Sequence, residues 1–280
     1  MEYKVLNLQY PDKSDIKYNI IHFPDGEIQL DILDCLCNFK NGILIKTRIT
    51  CANDWFILLQ AQDILERNEL DYHTIIFYLM SQRSDRLFKY TRPLSLKIIL
   101  SQLKNIKIFR AHNKRAVTRW AFNYAIPHYS KNVEEWCANF YTDFKNAVIF
   151  FPDEHASEEF RSICYPNYFL YGKKVRNVET GEIIKYEICE SGKQQTKPAK
   201  IQNILVFDDL CDGGGTFLLA LDRLKKKFPK AKFHLFVYHA VQEVGLQRVC
   251  AEFDTVTTTN SYADWDKLDI SNLTVLDVWD

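Results

Sequence analysis

The chain has 280 residues with 36 basic and 36 acidic side chains, so no overall field favours nucleic acid. No apolar run approaches the length of a membrane span, and residues 1–10 lack the charged-then-apolar pattern of a secretory signal. Eight cysteines without paired CxxC spacing predict reduced thiols in a cytoplasmic protein.

Residues 18–23 and 28–33 read as the strands of a hairpin turning through Pro24-Asp25-Gly26. Cys35, Leu36 and Cys37 alternate as one strand face does, which fits better than a metal site. Residues 42–49 form an apolar strand, and Asn53-Asp54 caps a helix over 55–67. A buried strand at 74–80, a helix at 94–103 and a strand at 106–109 follow. Residues 147–151 open a second half that continues with strands at 204–207, 233–238 and 255–258. Between them, the charged stretch 171–190, with Glu179-Thr180-Gly181-Glu182 as its turn, reads as an exposed hairpin. Lys225-Lys226-Lys227 reads as a solvated helix face. Strands alternating with helices predict an α/β fold of two doubly wound halves, residues 1–145 and 146–280, with mainly parallel sheets.

The most informative run lies in the second half. An apolar strand, residues 204–207, leads into Asp208-Asp209, then Asp212-Gly213-Gly214-Gly215-Thr216, then a helix over 217–227. Backbone N–H groups at a glycine-rich helix start can cradle a phosphate. Two carboxylates beside that cradle would repel a phosphate unless they bind sugar hydroxyls or Mg²⁺. Their place at a strand's C-terminal end is where open α/β sheets take ligands. The run therefore reads as a site for a phosphorylated ribose, against the bland alternative of a ligand-free glycine turn. Cys211 within it reads as a small buried filler.

This run resembles the loop that holds 5-phosphoribosyl groups in type I phosphoribosyltransferases and ribose-phosphate diphosphokinases. It departs from the family's Asp-Thr-Gly-Gly-Thr at Gly213. Further pieces are similar to the diphosphokinases, in the right order. Phe23-Pro24-Asp25-Gly26-Glu27 resembles their N-terminal element, and Asn53-Asp54 opens the first long helix as theirs does. Arg83-Ser84-Asp85-Arg86 keeps three of the four residues of an ATP-site Arg-Gln-Asp-Arg. Arg110-Ala111-His112 keeps only the histidine of Asp-Leu-His. Pro152-Asp153 is present, followed by Glu154-His155-Ala156 in place of glycines. Lys174-Val175-Arg176 is similar to a mobile hairpin's Lys-x-Arg, and His239 and Thr259-Asn260-Ser261 sit where the family has similar residues.

The resemblance implies transfer of the β,γ-diphosphate of ATP to an anomeric hydroxyl, with AMP leaving. It implies that Phe23 lies against adenine, that Asp25 and Glu27 organise that side, and that Arg83, Arg86 and His112 bind ATP. His112 and Asp153 would hold Mg²⁺. Lys174 and Arg176, two apart on a strand and so facing the same way, would be the catalytic cations. Asp208, Asp209, Asp212, Gly213, Gly214, Gly215 and Thr216 would bind the acceptor, with His155 a variation in that site. The bland readings are a core Phe23, a surface His112 and a solvated basic hairpin. Retained ATP elements favour a diphosphokinase over a transferase that consumes PRPP, and retained cations and acids favour it over a non-catalytic regulatory relative. Glycine at 213 removes a hydroxyl donor and its bulk, which suits an acceptor whose 5-phosphate continues into something larger. In this the chain is similar to a viral branch of the family that diphosphorylates ADP-ribose in NAD⁺ rebuilding. Ribose 5-phosphate is the alternative acceptor. The resemblance also implies a homo-oligomer, located in the host cytoplasm if viral, without nucleic-acid or membrane partners.

Overall fold

The computed structural model describes residues 3–39, 42–87, 89–121, 133, 135–136, 139–140, 144, 146–164, 168–176, 183–192 and 201–279. Side chains at 38, 161–164, 174–176 and 183–185 lie outside that description. The chain divides into two compact units, one of residues 1–129 with Trp279 and one of residues 130–278. Among the described residues no helix is long and apolar enough to cross a membrane.

The first unit is built on a four-stranded parallel sheet of β1 (Lys4–Asn7), β4 (Ile43–Ile49), β5 (Tyr72–Leu79) and β6 (Ile106–Ile108), side by side in chain order. A separate antiparallel hairpin, β2 (Tyr18–His22) and β3 (Ile28–Ile32), is inserted between β1 and β4. In β4 the buried Ile43, Ile45, Thr47 and Ile49 alternate with half-buried neighbours, the period of a strand. β5 is buried from Thr74 to Leu79 without alternation, as a strand covered on both faces should be. Helix α1 (Ala52–Arg67) buries Ile57, Leu58, Ala61 and Leu65 on the sheet, the i, i+1, i+4, i+8 stripe of an amphipathic helix. Its Gln60 amide accepts from Leu30 N at 2.7 Å and donates to Ile28 O at 2.9 Å, standing in for a neighbouring strand beside β3. Helices α2 (Ser95–Leu100) and α3 (Lys114–Trp120) complete the unit.

Two expectations are corrected here. Helix α1 starts before Asn53-Asp54: the N-cap is Cys51, and Asp54 in the first turn accepts from Thr50 N, Thr50 Oγ1 and Cys51 N at 2.8, 2.7 and 3.2 Å. A carboxylate reaching back to donors that precede the helix satisfies groups no helical carbonyl can reach. The strand expected at Cys35–Cys37 is a short 3-10 turn, and its two cysteines form a disulfide. The turn brings the Cα atoms to 5.4 Å, within disulfide range, so uniformly reduced thiols do not hold. Cys51, Cys189, Cys211 and Cys250 are free thiols.

The second unit is a seven-stranded sheet in the order β13-β12-β11-β10-β7-β8-β9. Its strands are β7 (Ala147–Phe151), β8 (Tyr168–Arg176), β9 (Ile183–Gly192), β10 (Asn203–Cys211), β11 (Lys232–Ala240), β12 (Thr255–Thr259) and β13 (Leu273–Leu276). All neighbours pair in parallel except β8 and β9, which form the expected hairpin. Its turn, Glu179-Thr180-Gly181-Glu182, lies outside the described residues. Helices α4 (Glu154–Cys164), α5 (Gly215–Lys227) and α6 (Glu243–Cys250) follow β7, β10 and β11. In α5, Phe217, Ala220, Leu221 and Leu224 are buried at helical spacing. Lys225, Lys226 and Lys227 stay exposed and pair with Glu252, Asp222 and Glu190, a solvated face of small energetic weight. Strand β10 outruns its expected end. The ladder with β11 continues through Asp208↔Val237, Leu210↔His239 and Cys211↔Ala240, so the acidic pair belongs to the strand itself. Helix α5 likewise begins two residues before the expected Phe217.

Candidate active site

In the second unit, strand order reverses between β7 and β10. At such a point the connections leave to opposite sides and open a crevice beyond the strands' C-terminal ends. Asp153 follows β7, while Asp208 and Asp209 lie in the C-terminal half of β10. The Oδ1 of Asp153 accepts from Ala156 N at 2.9 Å, capping α4. Asp208 Oδ1 accepts from Asp209 N at 2.9 Å, and Asp209 is 7% exposed. Burial first, then the carboxylates of Asp209 and Asp153, holds the Asp208 pKa well above the usual carboxylate range. The three acids are therefore electrostatically one cluster, which hydroxyl donors or a cation would stabilise in its charged form.

The glycine run completes this crevice. Gly214 caps α5 in a left-handed conformation, φ +76°, which favours glycine. Helix α6 packs on the run so closely that a Cβ at Gly245 would stand 1.7 Å from Asp212 O. Arg248 on α6 donates to Gly213 O at 2.8 Å. By contrast, a Cβ at Gly213 or Gly215 would meet nothing within 4 Å. Thr216 is half-buried in the first turn of α5. The run is thus held from behind by α6 and open in front at Gly213 and Gly215, the form of an anion cradle at a helix start.

Lys174 and Arg176 lie on β8 opposite Tyr186 and Ile183. The pairing register shifts between Val175 and Arg176, where one residue of β9 is passed over. Their side chains lie outside the described residues. At the positions similar to the family's, His239 Nδ1 meets Ser261 Oγ at 2.8 Å, and the Asn260 side chain bonds Asp277 Oδ1 and Val278 N.

In the first unit, the loops after the adjacent strands β5 and β6 carry Arg83, Asp85 and Arg86 on one side and His112 on the other. His112 N donates to Gln82 Oε1 at 2.8 Å, and Asn113 Nδ2 donates to Asp85 Oδ2 at 2.6 Å. Asn113 also caps α3 by accepting from Ala116 N at 3.1 Å. Both loops leave their strands through a non-glycine residue of positive φ, Ser81 at +64° and Arg110 at +53°, a costly conformation that clusters at functional sites. Arg83 and Arg86 are exposed, and Arg110 is buried at 2% exposure. Phe23, Asp25 and Glu27 sit at the tip of the β2–β3 hairpin, where Gly26 at φ +92° lets Phe23 N reach Glu27 O at 2.9 Å. Phe23 is 38% exposed, so the core reading of that ring does not hold.

Sequence reasoning missed Gln82, Asn113, Gly172, Tyr186, Gly245 and Arg248. Only Asn113 had a legible signal, an asparagine just ahead of a helix. For Mg²⁺, no group of three His, Cys, Asp or Glu among the described residues is arranged to hold a metal ion. The repulsion among Asp153, Asp208 and Asp209 nonetheless suits a cation shared with phosphate oxygens and water.

No protein-family model matches the chain. Individual proteins do. The ribose-phosphate pyrophosphokinase of Pyrococcus abyssi is 24% identical over 275 residues, covering 94% of this chain and 88% of that protein. That of Pyrococcus furiosus is 23% identical over 251 residues, 85% of this chain and 84% of its own length. The crystal structure of phosphoribosylpyrophosphate synthetase from Mycobacterium smegmatis superposes with a TM-score of 0.75 at 16% identity, across 99% of this chain and 95% of that one. The fold is accordingly that of the type I phosphoribosyltransferase-like α/β enzymes. Along most of its length the chain is similar to the ribose-phosphate pyrophosphokinases, an enzyme family of diphosphotransferases.

Proposed function

We propose that this chain transfers the β,γ-diphosphate of ATP to the anomeric hydroxyl of ADP-ribose, releasing AMP and giving ADP-ribose 1-diphosphate for NAD⁺ synthesis. The observation that carries the acceptor is Gly213. It stands in the glycine run that follows Asp208 and Asp209, and the space where a side chain would project is open. A terminal phosphate monoester rewards each added donor, whereas a phosphodiester needs room for its second substituent. Ribose 5-phosphate remains the second reading, favoured by the name shared by the relatives.

In this proposal Asp208 and Asp209 accept hydrogen bonds from ribose hydroxyls. Such donors favour their charged forms against the burial that raises Asp208. Backbone N–H groups of residues 213–216 hold the phosphate. Arg83 and Arg86 grip the phosphates of ATP, with Arg able to bind two oxygens at once, while Phe23 lies against the base and Asp25 and Glu27 organise its turn. Lys174 and Arg176 stabilise negative charge building on the transferred group, where placed cations do most of the catalytic work. His112 and Asp153 would hold Mg²⁺, which when bound neutralises charge on the phosphate oxygens. The enzyme would work as a cytoplasmic homo-oligomer.

Phosphorus NMR of the purified protein with ATP, Mg²⁺ and each acceptor in turn tests this reading. The expected result is AMP with a new anomeric diphosphate on ADP-ribose. Product from ribose 5-phosphate alone would overturn the acceptor, and no AMP with either acceptor would overturn the activity.

A further inference from the structure

The parallel ladder between β7 and β8 ends at Phe151↔Tyr171. The next residue, Pro152, has no N–H to extend it, yet Asp153 must be presented immediately beyond. The tie at that point comes from a third strand. Tyr186 on β9 stands opposite Lys174 on β8, and its hydroxyl donates to Pro152 O at 2.9 Å. To reach it, the side chain passes Gly172. A Cβ there would lie 2.3 Å from the Tyr186 hydroxyl and 2.5 Å from Pro152 O. Glycine is required at 172 because the phenol and the Pro152 carbonyl together occupy the space. Tyr186 is 8% exposed. Burial, then the nearby carboxylates of Asp153 and Asp208, raises the phenol's pKa, so it stays a donor across the working pH range.

A phenylalanine would fill the same volume. The hydroxyl adds one thing, a hold on the carbonyl that precedes Asp153. We propose that Tyr186 is a positioning residue: through Pro152 it fixes the β8–β9 hairpin, which carries Lys174, against the turn that presents Asp153. This rests on the diphosphokinase reading for its catalytic consequence, but the tie itself does not.

The test is Tyr186→Phe, with Gly172→Ala as a second variant that keeps the tyrosine and displaces its hydroxyl. Three quantities are measured: kcat and KM for both substrates, thermal midpoint, and amide hydrogen exchange. The expected result for folded Tyr186→Phe is a kcat lowered by about tenfold or more with little change in either KM. Exchange across residues 153–157 and 168–176 should quicken by about tenfold, with β11 and β12 unchanged. Gly172→Ala should reproduce both effects. Wild-type kcat and wild-type exchange in either folded variant would overturn the proposal. Exchange that quickens with kcat unchanged would overturn the catalytic role. A wild-type protein that forms no AMP would sink the functional reading separately, because the exchange contrast is read without turnover.

Discussion

The sheet of the second unit reverses its strand order between β7 and β10, and that reversal brings Asp153 near Asp208 and Asp209. The sheet of the first unit runs in chain order through β1, β4, β5 and β6. There the candidate nucleotide residues are gathered by side-chain bonds, Gln82 to His112 N and Asp85 to Asn113. One site is shaped by topology and the other by individual hydrogen bonds. A topological crevice persists when a side chain changes, so substitutions there should alter chemistry and leave the fold in place. A loop pair held by two bonds should lose local order when either is cut.

The largest effect expected from this contrast is at Asp208. Its folded pKa is raised by burial and by its acidic neighbours, so stability declines as pH climbs from the unfolded value of about 4 toward the folded one. Asp208→Asn removes that penalty. Activity should fall by about a hundredfold or more, while the thermal midpoint at pH 7–8 rises above wild type and converges with it near pH 4. A lower midpoint at pH 7 would mean the carboxylate is a structural support, and the contrast between the sheets would fail.

A smaller and opposite outcome is expected at Asn113. Asn113→Ala removes both the bond to Asp85 and the cap of α3, costing about 1 kcal/mol of stability. KM for ATP should rise by about threefold, a 0.7 kcal/mol effect, with KM for the acceptor unchanged. Steady-state kinetics that moved both constants equally would blur the distinction.

The smallest effect on activity, none, is expected at His234 in the second sheet, where only the pH dependence of stability should change. His234 is buried between Thr255 Oγ1 at 2.8 Å and Asn203 Oδ1 at 3.1 Å, and burial lowers its pKa. A histidine kept neutral contributes stability that is present above its unfolded pKa of about 6.5 and is lost as pH falls through it. Denaturant titrations between pH 7.5 and 5 should show a slope of up to about 1.4 kcal/mol per pH unit that His234→Gln flattens. An unchanged slope would place the acid sensitivity elsewhere.

What the sequence made legible follows the same division. The acids, glycines and helix of residues 204–227 are contiguous, so a local reading placed them together. Both sheets were legible from strand–helix alternation. The end of β10 was not, because Asp208 to Cys211 remain in the strand only through pairing with β11. Helix α1 started early because Asp54 turns back to Thr50 and Cys51, a choice an asparagine next to it concealed. The disulfide at Cys35–Cys37 depends on a turn that alternating small residues do not announce. The bonds Gln82–His112 and Tyr186–Pro152 join residues 30 and 34 apart in sequence, and no local pattern encodes such meetings.

The central claim is that the acidic end of β10 and the glycine run together receive a ribose bearing a 5-phosphodiester. A crystal structure of the protein with ADP-ribose measures this directly. The account predicts the ribose hydroxyls on Asp208 and Asp209, a phosphate on the backbone of residues 213–216, and the remaining half of the ligand passing over Gly213. Density for the ligand away from β10, or with its diphosphate turned from Gly213, would contradict it.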